Sequence, residues 1–302
     1  MILVTGASGK TGQAIVAALA RAGAPTRALV RRPSQLPALT SLGANEVIEA
    51  DMRRAADLRR AVENVRAVYH ICPNVTPDEV EIGRGLLAAA KGAHVDHLVL
   101  HSVLHPQAER MPHHWNKLRV EEALLESGLD FTILQPAAYM QNLLSGWTLI
   151  TEAGALRNPY PVETRLSLVD LRDVADAAAI VLTERGHTGA TYELTGTPPF
   201  TQTEVAEILS QALGRPVRAE AEPLAAWEAR AVAAGLSGDR RGMLARMFGY
   251  YAEVGLIGNP NTLRWLLGRE PTTLAEFVRR SSGRQARAGP SPPAPGRDGA
   301  AT

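Results

Sequence analysis

Val4-Thr5-Gly6-Ala7-Ser8-Gly9-Lys10-Thr11-Gly12 decides the fold. An apolar run at 2–5 leads straight into the glycines, and an alanine-rich helical pattern follows at 11–22. Strand, glycine turn and helix in that order let the backbone approach a pyrophosphate and turn a helix N-terminus toward it. Gly6, Gly9 and Gly12 supply the tight turn, the close approach and the packing of helix on strand. Gly6, Ser8, Gly9, Lys10, Thr11 and Gly12 are therefore expected to hold a dinucleotide. The spacing is G-x-x-G-x-x-G, one step away from the common G-x-G-x-x-G fingerprint. Gly9-Lys10-Thr11 has the look of a phosphate-hydrolase loop, but that motif needs a glycine where Val4 stands.

Outward from this loop, short β-branched runs alternate with helical patterns, the mark of a parallel sheet covered by helices. Strands are expected at 2–5, 26–30, 46–49, 67–71, 97–101 and 131–134. Helices are expected at 11–22, from 34, through Leu58 and Val62, up to Lys91 from an Asp78 cap, and from Lys117 to Glu126. The strands are apolar without alternation, as required when both faces are buried. After Pro136 a loop-rich stretch at 137–165 interrupts the rhythm, which returns with a strand at 166–169, a helix at 173–184 and a strand at 192–195. Asp170 and Asp173 read as caps of that helix. Helices fill the rest, at 201–213, 224–234, 239–254 and 272–280. The reading is α/β, a doubly wound parallel sheet of extended Rossmann type with a smaller, mostly helical substrate lobe. Residues 1–136 and 166–195 form the nucleotide-binding part, 137–165 and 196–280 the substrate lobe. A Gly-, Pro- and Ser-rich tail at 281–302 is expected to be disordered.

Composition removes several function classes. The 302 residues carry 32 Lys plus Arg against 31 Asp plus Glu, a net charge of +1, which gives no reason to expect a nucleic acid or an anionic membrane. No apolar run approaches the roughly 18–20 residues of a membrane span, and residues 1–5 show no leader-like pattern. One cysteine excludes an internal disulfide framework, and with these features a cytoplasmic location is expected. Eight histidines show no zinc spacing, no G-x-S-x-G elbow is present, and no metal site is expected.

The identity of the dinucleotide turns on the end of the second strand. An acidic residue about 20 positions past the glycine loop would favour NAD. Arg31-Arg32 stand there instead, and two guanidinium groups suit a 2′-phosphate. NADP(H) is favoured over NAD(H). Asp51 is placed to meet the adenine amino group, while Ile71, Cys72 and Pro73 would line the crevice past the fourth strand.

These residues resemble the NmrA-like branch of the atypical short-chain dehydrogenases/reductases. The resemblance rests on residues 4–12, Leu29-Val30-Arg31, Ala50-Asp51, the Lys117 helix, Leu134-Gln135-Pro136, and Val169-Asp170-Leu171-Arg172-Asp173-Val174-Ala175. It spans about residues 1–280 and implies an NAD(P)-binding Rossmann fold, with Pro136 beside the cofactor. It also implies one of two activities: reduction of quinones and aromatic metabolites, or cofactor binding without turnover in a redox-sensing regulator.

The wider superfamily places a Tyr four residues before a Lys on this helix. The Lys holds the nicotinamide ribose and lowers the Tyr pKa, so that the Tyr can pass a proton. Lys117 fits that lysine, but His113 occupies the tyrosine's place. Three proton sources stay open: His113 or its neighbour His114, Tyr139 after the sixth strand, or no dedicated protein acid at all. Ser102 matches the superfamily's substrate-orienting serine. The substrate side is expected at Tyr139, Met140, Gln141, Asn142, Trp147 and Tyr160, with Met243 or Phe248. The expectation is an NADPH-dependent oxidoreductase transferring hydride to a quinone, enone or other conjugated, flat, apolar acceptor. The alternative is a non-catalytic NADP(H)-binding sensor. A homodimer is left open.

Overall fold

β1 (Ile2–Val4) sends Ile2 and Val4 into one buried cluster and Leu3 into another, so the strand is covered on both faces. The computed structural model describes residues 1–73 and 75–288. From β1 the chain runs through α1 (Lys10–Arg21), β2 (Thr26–Val30), α2 (Leu36–Ser41), β3 (Glu46–Glu49), α3 (Ala55–Ala61) and β4 (Ala67–His70). It continues with α4 (Glu79–Gly92), β5 (His97–His101), α5 (Pro112–Leu125), β6 (Phe131–Pro136) and β7 (Ala138–Tyr139). A 3₁₀ segment (Met140–Gly146) and a π turn (Leu149–Ala153) precede β8 (Ala155–Asn158). Then come β9 (Leu168–Val169), α6 (Leu171–Thr183), β10 (Ala190–Leu194), α7 (Gln202–Leu213) and β11 (Arg218–Ala221). The last elements are α8 (Leu224–Ala233), α9 (Gly238–Val254), α10 (Asn261–Leu267) and α11 (Leu274–Ala288).

Seven strands form one parallel sheet in the order β10-β6-β5-β4-β1-β2-β3. The fold is a doubly wound α/β sheet of the Rossmann type. Helices α1 and α6 cover one face with Ile15, Leu19, Val174 and Val181, and α3, α4 and α5 cover the other with Leu58, Leu86 and Val120. Strand order reverses between β1 and β4, which opens a crevice at their carboxyl ends. The chain beyond β6 roofs that crevice, and β8 pairs with β11 there as a small parallel ribbon. No helix among the described residues is long and apolar enough to cross a membrane.

Several elements differ from the sequence expectation. The helix expected from Ser34 starts as a 3₁₀ turn (Pro33–Gln35), because Pro33 fixes the first position without a donor. β11 and α10 were not anticipated, since Arg218-Ala219-Glu220-Ala221 has no apolar run and α10 is only 7 residues long. Asp78 holds the N-cap position of α4, yet its carboxylate accepts from Arg53 Nε at 2.7 Å and makes no capping bond. The stretch expected to lack structure from Ser281 is helical through Ala288, with Ser281 buried and its hydroxyl donating to the Phe277 carbonyl. Residues 289–302 of that expected tail lie outside the described residues.

Asp170 caps α6 and does more, whereas Asp173 lies in the first turn and is bonded to other elements. Asp170 accepts from the Arg172 N–H at 3.1 Å as N-cap of α6, and also from Gln141 Nε2 at 2.7 Å and from Arg280. Asp173 accepts from the Thr272 N–H at 2.6 Å and pairs with Arg269 at 2.8 Å. Both carboxylates are fully buried, so the C-terminal helices are tied to the sheet through charge pairs with excellent satisfaction. Asp170→Ala is expected to cost about 3–5 kcal/mol by stranding Arg280 and Gln141. Urea denaturation measures this, and a loss under about 1 kcal/mol would contradict it.

Candidate cofactor and substrate cleft

The glycine loop has little freedom to carry side chains. Gly6 sits at φ +58°, where an added Cβ would lie 2.8 Å from the Ile71 carbonyl oxygen. At Gly12 it would lie 2.4 Å from the Gly6 oxygen and 2.5 Å from Ala7 Cα. Gly9 is more tolerant, meeting only the Gly6 oxygen at 3.4 Å, and it serves as the N-cap of α1. The amides of Lys10, Thr11 and Gly12 open the helix and have no intrahelical acceptor. This cradle fits a diphosphate, because every element of it is backbone N–H or the space where a Cβ would be.

A single cleft of about 1010 Å³ runs from this loop beneath the roof. At its nucleotide end lie Arg31 and Arg32, both exposed, whose guanidinium groups have no acidic partner among the described residues. Asp51 lines the same end and accepts from the Arg53 N–H at 3.0 Å, so its carboxylate is partly engaged. Ile71, Cys72, Pro73 and Pro136 line the middle. Lys10 reaches across the cleft, donating to Asn142 Oδ1 at 3.1 Å and lying 5.9 Å from the Tyr139 ring centroid. Burial lowers its pKa.

Lys117 is buried, and donates to Glu79 Oε1 at 2.6 Å and to the His101 carbonyl at 3.0 Å. Burial alone would lower its pKa; Glu79 outweighs that through charge and hydrogen bonding, and the ammonium stays above its ordinary range. Two of its three donors are taken, which leaves one for a ligand in the cleft. Ser102 lines the cleft, and its hydroxyl donates to the buried Glu121, which also accepts from Gln135 Nε2 at 3.0 Å. A serine committed to a buried carboxylate is a structural partner first.

His113 and His114 also line the cleft. Burial, reinforced by Lys117, pulls His113 down to about 3, and burial pulls His114 down to about 4 despite its hydrogen bond to His105. Both imidazoles are therefore neutral near neutral pH. His70 and His101 are also held at about 3, by burial and then by Lys117. All four depressed values lie below the unfolded one, so the unfolded chain binds more protons between about pH 3 and 6.5. Stability is therefore present above pH 6.5 and is lost as pH falls through that window. Each histidine contributes up to about 1.4 kcal/mol per pH unit. Denaturant midpoints at pH 7.5 and pH 5 should differ in that direction, and equal midpoints would refute the assignment of neutral imidazoles.

On the substrate side, Tyr139, Asn142 and Tyr160 line the cleft. Met140 and Trp147 do not: both side chains are buried in the main core, because the 3₁₀ segment turns them inward against the sheet. Gln141 is likewise spent on Asp170 and on the Leu171 N–H. Met243 is buried away from the cleft, whereas Phe248 lines it. The far wall is aromatic. Trp227 meets Phe248 edge-on at 4.9 Å, and Tyr160 lies 6.0 Å from Phe248 and 6.2 Å from Tyr251. Sequence reasoning missed Trp227, Tyr251, Glu79 and His101. Only His101 carried a usable signal, its place at the carboxyl end of β5, where ligands of this fold bind.

The NmrA-like family matches residues 1–279, the span that contains both the glycine loop and the roof of the cleft. The chain belongs to the NmrA-like family. It is 32% identical over 284 residues to the NAD(P)H azoreductase of Xenophilus azovorans, covering 92% of this chain and 97% of the relative. Among solved structures, the NADPH-dependent quinone oxidoreductase of Escherichia coli complexed with NADPH superposes with a TM-score of 0.82 at 29% identity. That match covers 93% of this chain and all of the other (100%). The Citrobacter triphenylmethane reductase complexed with NADP(H) gives 0.81 at 26% identity, covering 93% and 99%. With the family in hand, the cleft reads as a nucleotide trough ending under an aromatic roof.

Proposed function

We propose that this NmrA-like protein is an NADPH-dependent oxidoreductase that transfers hydride to a flat, conjugated, mostly apolar acceptor such as a quinone, an enone or an azo compound. One observation carries this reading. A single cleft joins a diphosphate cradle and two arginines with no acidic partner among the described residues to a wall of Tyr160, Trp227, Phe248 and Tyr251. The bound cofactor supplies the hydride. Gly6, Gly9 and Gly12 admit its diphosphate, and Arg31 and Arg32 meet its 2′-phosphate. The free donor of Lys117 takes a ribose hydroxyl near the reacting ring. The aromatic wall stacks the acceptor and excludes water from its face. The kinship with an azoreductase and a quinone oxidoreductase supports this class of acceptor.

A panel of quinones, enones, azo dyes and triarylmethane dyes, followed by loss of reduced-nicotinamide absorbance, tests the proposal. Consumption with at least one acceptor is expected. Saturable NADPH binding with no consumption on any of them would instead favour the sensor reading, which the histidine in place of the superfamily tyrosine supports.

Arg31→Ala combined with Arg32→Ala is expected to weaken NADPH by roughly 10- to 100-fold, as charge-assisted hydrogen bonds are lost. NADH affinity should change little. Equal losses for both nucleotides, read by calorimetric titration, would remove the role assigned to this pair.

A further inference from the structure

A hydrogen-bonded chain of two tyrosines and a histidine runs from the core into the cleft. Tyr69 Oη lies 2.7 Å from His101 Nδ1, and His101 Nε2 lies 2.7 Å from Tyr139 Oη. Tyr69 is fully buried on β4, and His101 is buried at the end of β5. Only His101 and Tyr139 reach the cleft.

We propose that Tyr139 is the proton donor of the reaction, and that Tyr69 and His101 are positioning residues that keep its proton turned toward the acceptor. The assignment rests on the reductase reading above. Tyr69 has no hydrogen-bond partner among the described residues except His101. A buried phenol proton without an acceptor is costly, so Tyr69 donates and Nδ1 accepts. That fixes the imidazole proton on Nε2, which must then donate to the Tyr139 oxygen. The Tyr139 proton is left to point elsewhere, into the cleft; burial raises the phenol pKa, and a hydrogen bond from Thr11 offsets part of that rise. His101 stays neutral and so remains a fixed N–H donor near neutral pH. Its carbonyl accepts from Lys117, which holds the strand end in place.

In the wider superfamily a Lys charge steadies the tyrosine from one turn along the same helix. Here that lysine pairs with Glu79, and the phenol arrives from β7 with an imidazole N–H in the supporting role. The step balances simply. Hydride adds two electrons to one end of the acceptor's double bond, the Tyr139 O–H bond breaks, and its proton bonds to the other end. The electron pair stays on the Tyr139 oxygen, where the His101 N–H meets it. A solvent proton entering the open cleft restores the phenol.

Two kinds of acceptor separate this role from a structural one. An azo dye or 1,4-naphthoquinone needs hydride and a proton, whereas a cationic triarylmethane dye needs hydride alone. Tyr139→Phe should lower kcat on the first kind by about 100-fold or more, and on the cationic dye by a much smaller factor. Tyr69→Phe frees His101 to take the other tautomer, so it should lower kcat on the first kind by a smaller factor. NADPH affinity and the dye rate should hold. Equal losses on both kinds, or no loss on the proton-requiring acceptor, would overturn the assignment while the reductase reading survives. Wild-type protein that binds NADPH and reduces neither kind would overturn both.

Discussion

Gly12→Ala is expected to weaken NADPH and NADH alike by roughly 100-fold or more, equivalent to at least about 2.7 kcal/mol. The added methyl would sit 2.4 Å from the Gly6 carbonyl oxygen and 2.5 Å from Ala7 Cα. Both are backbone atoms, so no flexible side chain can yield, and relief requires the loop itself to open. Opening moves the first-turn amides off the diphosphate they are built to meet. Gly9→Ala is the matched control, since its methyl would meet only one atom at 3.4 Å, and its affinity should fall far less. The loss should not discriminate between the nucleotides, in contrast to the Arg31 and Arg32 pair. Calorimetric titration of each variant reads this directly. An affinity for Gly12→Ala within a few fold of wild type would show that the cradle is not the binding element.

The second large effect belongs to Lys117. Lys117→Ala should destabilise the fold by about 3–5 kcal/mol, the usual cost of stranding one member of a buried ion pair. Glu79 is almost fully buried, its Oε1 accepts from Lys117, and its Oε2 has no hydrogen-bond partner among the described residues. Without the ammonium, that carboxylate keeps the His113 Nδ1 at 3.7 Å, on a ring whose pKa burial lowers, and the Cys72 thiol, which is no source of positive charge. Turnover should fall too, through loss of the donor assigned to the ribose. Stability and chemistry can be parted with Lys117→Met in combination with Glu79→Leu. Replacing both charges by apolar groups should recover most of the stability and none of the turnover. Denaturation and kcat measured on the same preparations provide the check. Full activity in the double variant would leave Lys117 with a purely structural role.

The sheet was legible because each strand repeats one signal, an apolar run bounded by turn residues and followed by a helical pattern. His97–His101 was read at its observed bounds for that reason. The glycine loop was legible because steric need at Gly6 and Gly12 leaves no other residue type. The roof was harder. Met140 and Trp147 looked like pocket residues since they follow the sixth strand, but sequence position does not say which way a 3₁₀ segment turns its side chains. Trp227 and Tyr251 reach the cleft from helices some 90 residues or more along the chain from Tyr139, and periodicity carries no information about such docking. Electrostatics were least legible of all. His113 reads as a neutral-pH acid until its burial beside Lys117 is known, and Ser102 reads as a substrate hydroxyl until Glu121 is found against it.

A single titration bears most directly on whether main-chain amides at the end of β1, with two arginines beyond β2, grip a phosphorylated pyridine nucleotide. Purified protein titrated with NADPH should saturate at one site per chain, with NADH binding at least about tenfold more weakly. No measurable heat or fluorescence change with either nucleotide would contradict the whole account.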